Sequence, residues 1–232
     1  MYTFCNTTTI VYNSLIARLS PAGSGGKRSS VMCGRYYLDD DPAMPWKKEK
    51  MDAYADKFQI EIKTSGEFYP TDIAPVIAPS GISRAPLVFP MRWGFMHPYR
   101  ERVIVSNTRI ETAGVKEFFR DTADSRRCLV PISGYYEWKK LPENKVERYA
   151  FHTDGLIYLA ALYTRRPEHP VPCFSVLTMD AVPAIKSIHA RMPVLLTAEQ
   201  QSDWLDAKLP IREAPDWCTV KDALTAEKCD FI

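Results

Sequence analysis

The segment RRCLVPISGYYEW, residues 126–138, holds two strand-like runs separated by Ser133-Gly134. Residues 127–132 are mostly apolar and residues 135–139 are rich in aromatic side chains, as strands commonly are. The serine and glycine between them predict a turn or a β-bulge. Similar runs predict further strands at residues 102–106, 149–152, 157–163, 173–179 and 192–196.

Turns and helices complete the pattern. Residues 142–145 and 153–155 carry turn-forming residues that predict hairpin connections. Apolar residues at spacings of three and four predict an amphipathic helix over residues 47–58, and a weaker pattern predicts one over 181–188. Thr197 begins a capping box that predicts a helix through about Leu205.

Strands therefore outnumber helices, and the order of the elements predicts an α+β fold. We expect a single β-rich domain of mostly antiparallel sheets with a few flanking helices. No predicted strand leads into a glycine-rich phosphate loop, which excludes the Rossmann and P-loop classes of nucleotide-binding protein.

Composition bounds the class of protein. The chain has 232 residues, of which 46% are hydrophobic and 25% charged, and no run approaches the 18 apolar residues of a membrane span. Its six cysteines form neither a Cys-x-x-Cys pair nor a Cys/His cluster, so we expect no metal, no disulfide framework and a reduced, cytoplasmic protein. Residues 1–32 lack periodicity and predict a flexible extension or leader that is absent from the mature protein, leaving a domain over 33–232.

Net charge gives no global signal for nucleic-acid binding. The formal charge of the whole chain is +2, but residues 1–32 contain three basic and no acidic residues, which leaves −1 for residues 33–232. Binding to a polyanion must therefore depend on local clusters of arginine and lysine rather than on bulk attraction.

The segment Met32-Cys33-Gly34-Arg35-Tyr36 suggests a reactive amino terminus. If the mature chain began at Cys33, an α-amine with a pKa of about 8 and a thiol with a pKa of about 8.5 would sit on adjacent carbons. The amine can form an imine with an aldehyde, and the thiol can close on the imine carbon to give a thiazolidine. The alternative is that Cys33 is a small buried side chain at the start of a strand.

Three more positions combine polar chemistry with strand-like surroundings. Asn107 suits a hydrogen-bonding positioner, or else a simple turn residue. Glu137 lies among aromatic residues that would raise the pKa of its carboxyl toward the range of a general acid or base, or else forms the polar face of an edge strand. His189 suits proton transfer near neutral pH, or else a structural role.

Taken together, MCGRY, WGF, SNTRIET, RRCLVPISGYYEW and IHARMPVLL occur in an order that resembles the SRAP (SOS response-associated peptidase) family. The resemblance spans most of residues 32–196. It implies a protein of the DNA damage response that binds single-stranded DNA, also at junctions with duplex, and shields abasic sites by forming a thiazolidine crosslink.

The resemblance also implies the roles of individual residues. The implied catalytic residues are Cys33, Asn107, Glu137 and His189. The implied DNA contacts are Arg35, Trp93, Arg109 and Arg191, with Trp93 as a stacking platform or wedge beside the lesion. No cofactor is implied, some lyase activity by β-elimination is, and we expect a monomer that associates with the nucleoid when bound to DNA.

A free amine at Cys33 requires removal of everything before it. Either translation starts at Met32 and the methionine is removed, which we favour, or the chain removes its own leader, the activity to which the word peptidase refers. Two other classes of function remain open. The first is a thiol peptidase acting on external peptides, and the second is a non-catalytic reader of damaged single strands.

Overall fold

The computed structural model describes most of the chain from Gly34 onward. The described residues are 34–40, 44, 46, 48–81, 83–97, 99–101, 103–114, 123, 125–207, 210–213 and 224–229. Cys33 and the extension predicted at residues 1–32 lie outside the described residues. The division into a leader and a domain over 33–232 therefore stays a prediction.

The described residues form thirteen strands, distributed over two sheets of eleven and two strands. The strands are β1 Tyr36–Leu38, β2 Gly66–Phe68, β3 Ile73–Pro79, β4 Pro86–Trp93, β5 Phe95–Met96, β6 Ile104–Val105, β7 Asn107–Arg109, β8 Arg127–Lys140, β9 Val146–Thr164, β10 Cys173–Asp180, β11 Arg191–Pro193, β12 Leu195–Leu196 and β13 Thr225–Cys229. The α-helices are α1 Lys48–Phe58, α2 Ile110–Ala113, α3 Pro183–Lys186 and α4 Gln201–Leu205. Short 3₁₀ helices lie at Pro142–Asn144, Ala198–Gln200 and Ile211–Glu213.

The long hairpin of β8 and β9 dominates the sheet. The two strand runs predicted in residues 126–138 form one strand, and its register shifts between Ile132 and Gly134, which confirms the predicted bulge. The turn predicted at residues 142–145 is also confirmed, but the hairpin predicted at residues 153–155 is wrong. Ile132 pairs with Ile157 while Gly134 pairs with His152, so the turn-forming residues are accommodated as extra length in β9 opposite the bulge.

Five strands pair in a closed ring. β9 pairs with β10, β10 with β4, β4 with β3, β3 with β8, and β8 again with β9. Among the strand pairings of the described residues, only β10–β4 and β10–β7 are parallel, which confirms a mostly antiparallel, β-rich α+β fold. The ring strands contribute fully buried core side chains such as Val76, Leu129, Leu159 and Phe174.

The helices of the described residues are few and short, as the sequence predicts. The helix predicted over 47–58 is α1, and the capping box of Thr197 with Gln200 opens a 3₁₀ turn that continues into α4. The helix predicted over 181–188 is shorter, because it is confined to the four residues of α3. Among the described residues, no helix is both long and apolar enough to cross a membrane.

Candidate active site

The described chain enters the fold beside the strand that carries Glu137. Tyr36 pairs with Tyr135, and the amide of Tyr136 donates to the carbonyl of Arg35 at 2.9 Å. The Tyr36 side chain is buried, and its ring stacks on Phe68 with centroids 4.7 Å apart. This packing fixes the start of β1. In this antiparallel register the chain from Tyr36 back to Gly34, the residue bonded to Cys33, runs toward Glu137.

Glu137 lies inside the sheet rather than at its edge. β8 pairs with β1 on one side and with β9 on the other, where Glu137 is opposite Tyr149. The residue is only 1% exposed, so the alternative of a polar edge-strand side chain is wrong. A buried carboxylate is costly unless it has polar partners, which makes this position unusual for a purely structural glutamate.

His189 supplies a partner to that carboxylate. Its Nδ1 lies 3.9 Å from Oε2 of Glu137, and the two side chains are 14% and 2% exposed. The histidine follows α3, where its amide donates to the carbonyl of Ile185 at 3.1 Å. The structure therefore brings together two of the four predicted catalytic residues, which lie 52 positions apart in the chain.

The backbone beside His189 offers its Nδ1 a hydrogen-bond partner whether or not that nitrogen carries a proton. Nδ1 lies 3.0 Å from the carbonyl of Arg191 and 3.2 Å from its amide. A protonated Nδ1 donates to that carbonyl, whereas an unprotonated Nδ1 accepts from that amide. Gain or loss of a proton therefore leaves the ring with a backbone partner in both states, which suits an acid or base.

Asn107 lies on a strand that pairs with β10, the strand that also pairs with the segment after His189. It begins β7, which pairs with β10 at Val176, and its Nδ2 donates to Oγ of Ser106 at 3.4 Å. β10 also pairs with β11, where Asp180 is opposite Arg191, two residues after His189. One strand thus positions the segments that carry Asn107 and His189.

Trp93 does not fit the role of stacking platform or wedge. It is 0% exposed, its ring stacks in parallel on Phe174 with centroids 6.3 Å apart, and its Nε1 donates to the carbonyl of Ser106 at 3.0 Å. The sequence prediction was wrong because a tryptophan beside a glycine has the same local appearance in a core as at a surface. Trp93 instead anchors the residue that precedes Asn107.

Arg191 is also engaged within the protein. Its guanidinium binds both carboxylate oxygens of Glu111 at 2.5 and 2.9 Å, Asp180 at 2.5 Å and the carbonyl of Thr178 at 2.7 Å. Burial would raise the pKa of Glu111, but hydrogen bonds from Arg191 and the backbone hold it below its usual value. A direct phosphate contact therefore does not fit this arrangement unless one acidic partner is displaced.

The other two predicted DNA contacts are more accessible. Arg109 is exposed at the end of β7. Arg35 pairs with Glu67 at 3.2 Å and lies over the rings of Tyr69 and Trp138 at 4.4 and 5.2 Å. Tyr69 is 41% exposed, so this cluster presents aromatic surface close to β1, a feature that the sequence analysis missed because its members come from three strands or turns.

Two of the three described cysteines, Cys128 and Cys173, are buried and offer no competing nucleophile. Burial raises the pKa of the Cys128 thiol well above its usual value and that of Cys173 to about 11, so both stay protonated at neutral pH. Within the described ranges, no group of three or more His, Cys, Asp or Glu side chains could hold a metal ion.

Comparisons with known proteins extend this picture. A family model described as SOS response associated peptidase (SRAP) matches residues 32–227. The chain is 30% identical over 193 residues to the abasic site processing protein YoqW of Bacillus subtilis, covering 76% of this chain and 81% of that protein. It is 26% identical over 159 residues to the abasic site processing protein HMCES of Rattus norvegicus, covering 52% of this chain and 45% of that protein.

Solved structures share the fold. A crystal structure of a protein from Bordetella bronchiseptica superposes with a TM-score of 0.64 at 20% identity, covering 86% of this chain and 100% of the other. One from Bacteroides thetaiotaomicron gives a TM-score of 0.62 at 21% identity, covering 84% and 92%. At this level of identity the likeness concerns the fold.

Proposed function

This chain belongs to the SOS response associated peptidase (SRAP) family, and on that premise we propose that it binds single-stranded DNA and traps abasic sites covalently. The reactive group is the aminothiol of Cys33 at the amino terminus of the mature protein. The observation that carries the proposal is the buried Glu137–His189 pair, 3.9 Å apart, next to the strand that continues from Cys33. The names of the relatives, which describe abasic site processing, support the choice of substrate.

The chemistry needs only the aldehyde of the ring-opened abasic sugar and the two groups of Cys33. The amine adds to the aldehyde carbon, and loss of one water gives an imine. The thiol then adds to the imine carbon and its proton passes to the nitrogen, which closes a five-membered thiazolidine. The net change is one water released, with no oxidation, reduction or cofactor.

Three side chains assist these steps. His189 moves the proton that opens the sugar to its aldehyde form, and Glu137 moves protons as the amine condenses and the ring closes. Burial of the pair supports this assignment, because proton transfer within it is shielded from water. Asn107 holds the amino terminus through its amide, a role supported by the β7–β10 pairing that fixes its strand.

DNA contacts are assigned to surfaces that the protein leaves accessible. Arg109 is exposed beside Asn107 and suits a phosphate next to the lesion. Arg35, Tyr69 and Trp138 form a cationic and aromatic surface that suits stacking of an adjacent base, a role that buried Trp93 cannot fill. Arg191 acts as a positioning residue, because its carbonyl and amide both face Nδ1 of His189.

A free Cys33 amine precedes all of these steps. Where translation begins at Met32, removal of that methionine exposes it. Where a longer leader is present, the Cys33 thiol attacks the Met32 carbonyl, the peptide nitrogen leaves as the amine, and water hydrolyses the resulting thioester. If ring closure is slow, the imine instead permits β-elimination of the 3′ phosphate, which gives a minor lyase activity.

The test is covalent capture of an abasic oligonucleotide on a denaturing gel. Protein beginning at Cys33 is compared with the same protein acetylated at its α-amine and with Cys33→Ala. We expect a heat-stable adduct from the first alone. Equal capture by the acetylated protein would favour a thiol-only reaction, and equal capture by Cys33→Ala would overturn the proposal.

Peptide hydrolysis and reversible binding complete the comparison. A thiol peptidase would keep its activity on external peptides after acetylation of the amine, because it needs only the thiol. A non-catalytic reader would bind the abasic oligonucleotide in buffer and release it entirely in denaturant. Either result without a covalent adduct contradicts trapping through a thiazolidine.

A further inference from the structure

Three exposed arginines converge at one end of the strand ring. Arg84 lies in the turn between β3 and β4, Arg126 immediately precedes β8, and Arg165 immediately follows β9. We call Arg84, Arg126 and Arg165 the basic rim. They come from three separate segments, so their proximity is a property of the fold.

The strand register brings these segments together. The amide of Tyr163 donates to the carbonyl of Arg126 at 2.9 Å, which places Arg165 two residues beyond this contact. β3 runs antiparallel to β8 with Ile77 opposite Leu129, so the β3–β4 turn extends toward the residue that precedes β8. All three arginines therefore lie at the end of the ring where β8 begins.

The three charges of the basic rim all lie close enough to the Tyr163 hydroxyl to affect its pKa. Burial raises the pKa of the Tyr163 hydroxyl, and Arg126, Arg84 and Arg165 each oppose that shift. In the part of the chain that the structure describes, no ion pair joins any of the three to an acidic side chain. Arg35 and Arg191, in contrast, are held by Glu67 and Glu111.

The basic rim is remote from the candidate active site. Arg126 directly precedes β8, whereas Glu137 lies eleven residues later, near the other end of that strand, a separation of at most about 36 Å at about 3.3 Å per residue. Guanidinium groups bind phosphate oxygens bidentately and are the side chains best suited to a nucleic-acid backbone. A single strand bound at the active site would need up to about eleven nucleotides to reach the rim at a stacked spacing of about 3.4 Å, and fewer if it is extended.

We propose that the basic rim is a second DNA contact, which binds backbone phosphates of the strand that flanks the abasic nucleotide. The inference rests on the proposed function, since it assumes that the protein binds DNA at the active site. It predicts that affinity depends on strand length. An oligonucleotide too short to reach Arg126 gains nothing from the rim, whereas a long one gains up to three phosphate contacts.

The experiment measures binding of two oligonucleotides centred on a stable tetrahydrofuran abasic analogue, one of about 5 and one of about 25 nucleotides, which extend roughly 7 and 41 Å to either side of the analogue at about 3.4 Å per stacked nucleotide. The test protein carries Arg84→Gln, Arg126→Gln and Arg165→Gln. For the long strand we expect the slope of log affinity against log salt to fall by about 2, or 0.7 per lost contact. For the short strand we expect no change.

A charge-matched protein controls for the loss of three positive charges. The exposed face of α1 carries three lysines interspersed with acidic residues, and their replacement changes net charge equally without touching the rim. The control substitutions are Lys48→Gln, Lys50→Gln and Lys57→Gln. If this control protein loses as much affinity for the long strand as the rim variant does, the proposal is overturned. An unchanged salt slope in the rim variant would also overturn it.

Two further measurements separate this inference from the proposed function. Covalent capture of the short abasic oligonucleotide reports on the active site alone, and we expect the rim variant to retain it. Failure of capture in every protein would reject the proposed function, whereas retained capture with no length dependence would reject only the rim. If the unsubstituted protein binds polyglutamate as tightly as the long oligonucleotide, the basic rim is not specific for phosphate and the assignment to the DNA backbone is overturned.

Discussion

Replacing Glu137 with glutamine tests whether the buried carboxylate moves protons. Glu137→Gln keeps the size of a side chain that is 1% exposed, so packing between β1 and β9 is preserved. It removes the proton-accepting group and its attraction for a protonated His189, about 4 kcal/mol at 3.9 Å with an effective dielectric constant of 20. Loss of a general acid or base slows a reaction by about 10²–10⁴-fold, equivalent to about 3–5 kcal/mol in the barrier.

The assay is single-turnover crosslinking with protein in excess over an abasic oligonucleotide, followed on denaturing gels. We expect the rate constant of Glu137→Gln to fall by about 10²-fold or more, with thermal unfolding measured to show that the fold is retained. Glu143→Gln is the matched control, because Glu143 lies on the same hairpin but its side chain is 74% exposed and pairs only with Lys145 among the described residues. A Glu137→Gln rate equal to that of Glu143→Gln would refute the role in proton transfer.

Three further outcomes follow from the packing and charges of the domain. Gly134→Ala would place a Cβ 2.6 Å from the carbonyl of Phe151 and from the ring of Tyr37, so we expect the free energy of unfolding in denaturant to fall by about 1–3 kcal/mol. An unchanged denaturation midpoint would show that the strands around Gly134 are not tightly packed. Asp180→Asn removes an acid that is 88% exposed and binds Arg191. Because Arg191 is then freer to contact a phosphate, we expect tighter DNA binding and a slope of log affinity against log salt that is steeper by about 0.7, whereas unchanged affinity would mean that Arg191 makes no phosphate contact. Burial, foremost, and neighbouring charges raise the pKa of Tyr37 from 10.0 to about 12, so its contribution to stability is complete below pH 10 and is lost as pH rises toward 12. We expect Tyr37→Phe to reduce the loss of unfolding free energy between pH 10 and pH 12, and a pH profile identical to that of the unsubstituted protein would contradict this.

Sequence patterns predicted those parts of the fold that depend on local chemistry. The bulge at Ser133-Gly134, helix α1 and the capping box of Thr197 all depend on residues close together in the chain. β3 and β4 were not predicted, because prolines such as Pro75 and Pro90 interrupt their pattern. Pro75 and Pro90 lie directly opposite each other, so their missing amides fall at a shared position of the ladder, which local propensity cannot reveal.

The candidate site shows the same division. Glu137 and His189 were selected from the sequence and lie together in the structure. The burial of Trp93 and the ion pairs of Arg191 were not predicted, because both depend on distant residues. Glu111, which holds Arg191, is 80 positions away in the chain, and no local pattern indicates that contact.

Peptide mapping of the crosslinked protein shows whether the aminothiol of Cys33 forms the bond to the damaged sugar. The adduct is digested with protease and nuclease, and tandem mass spectrometry locates the modified residue. We expect a single modified peptide that begins at Cys33, with the sugar remnant attached through loss of one water. A remnant on a lysine, or a modified peptide in which residues before Cys33 are still attached, would contradict it.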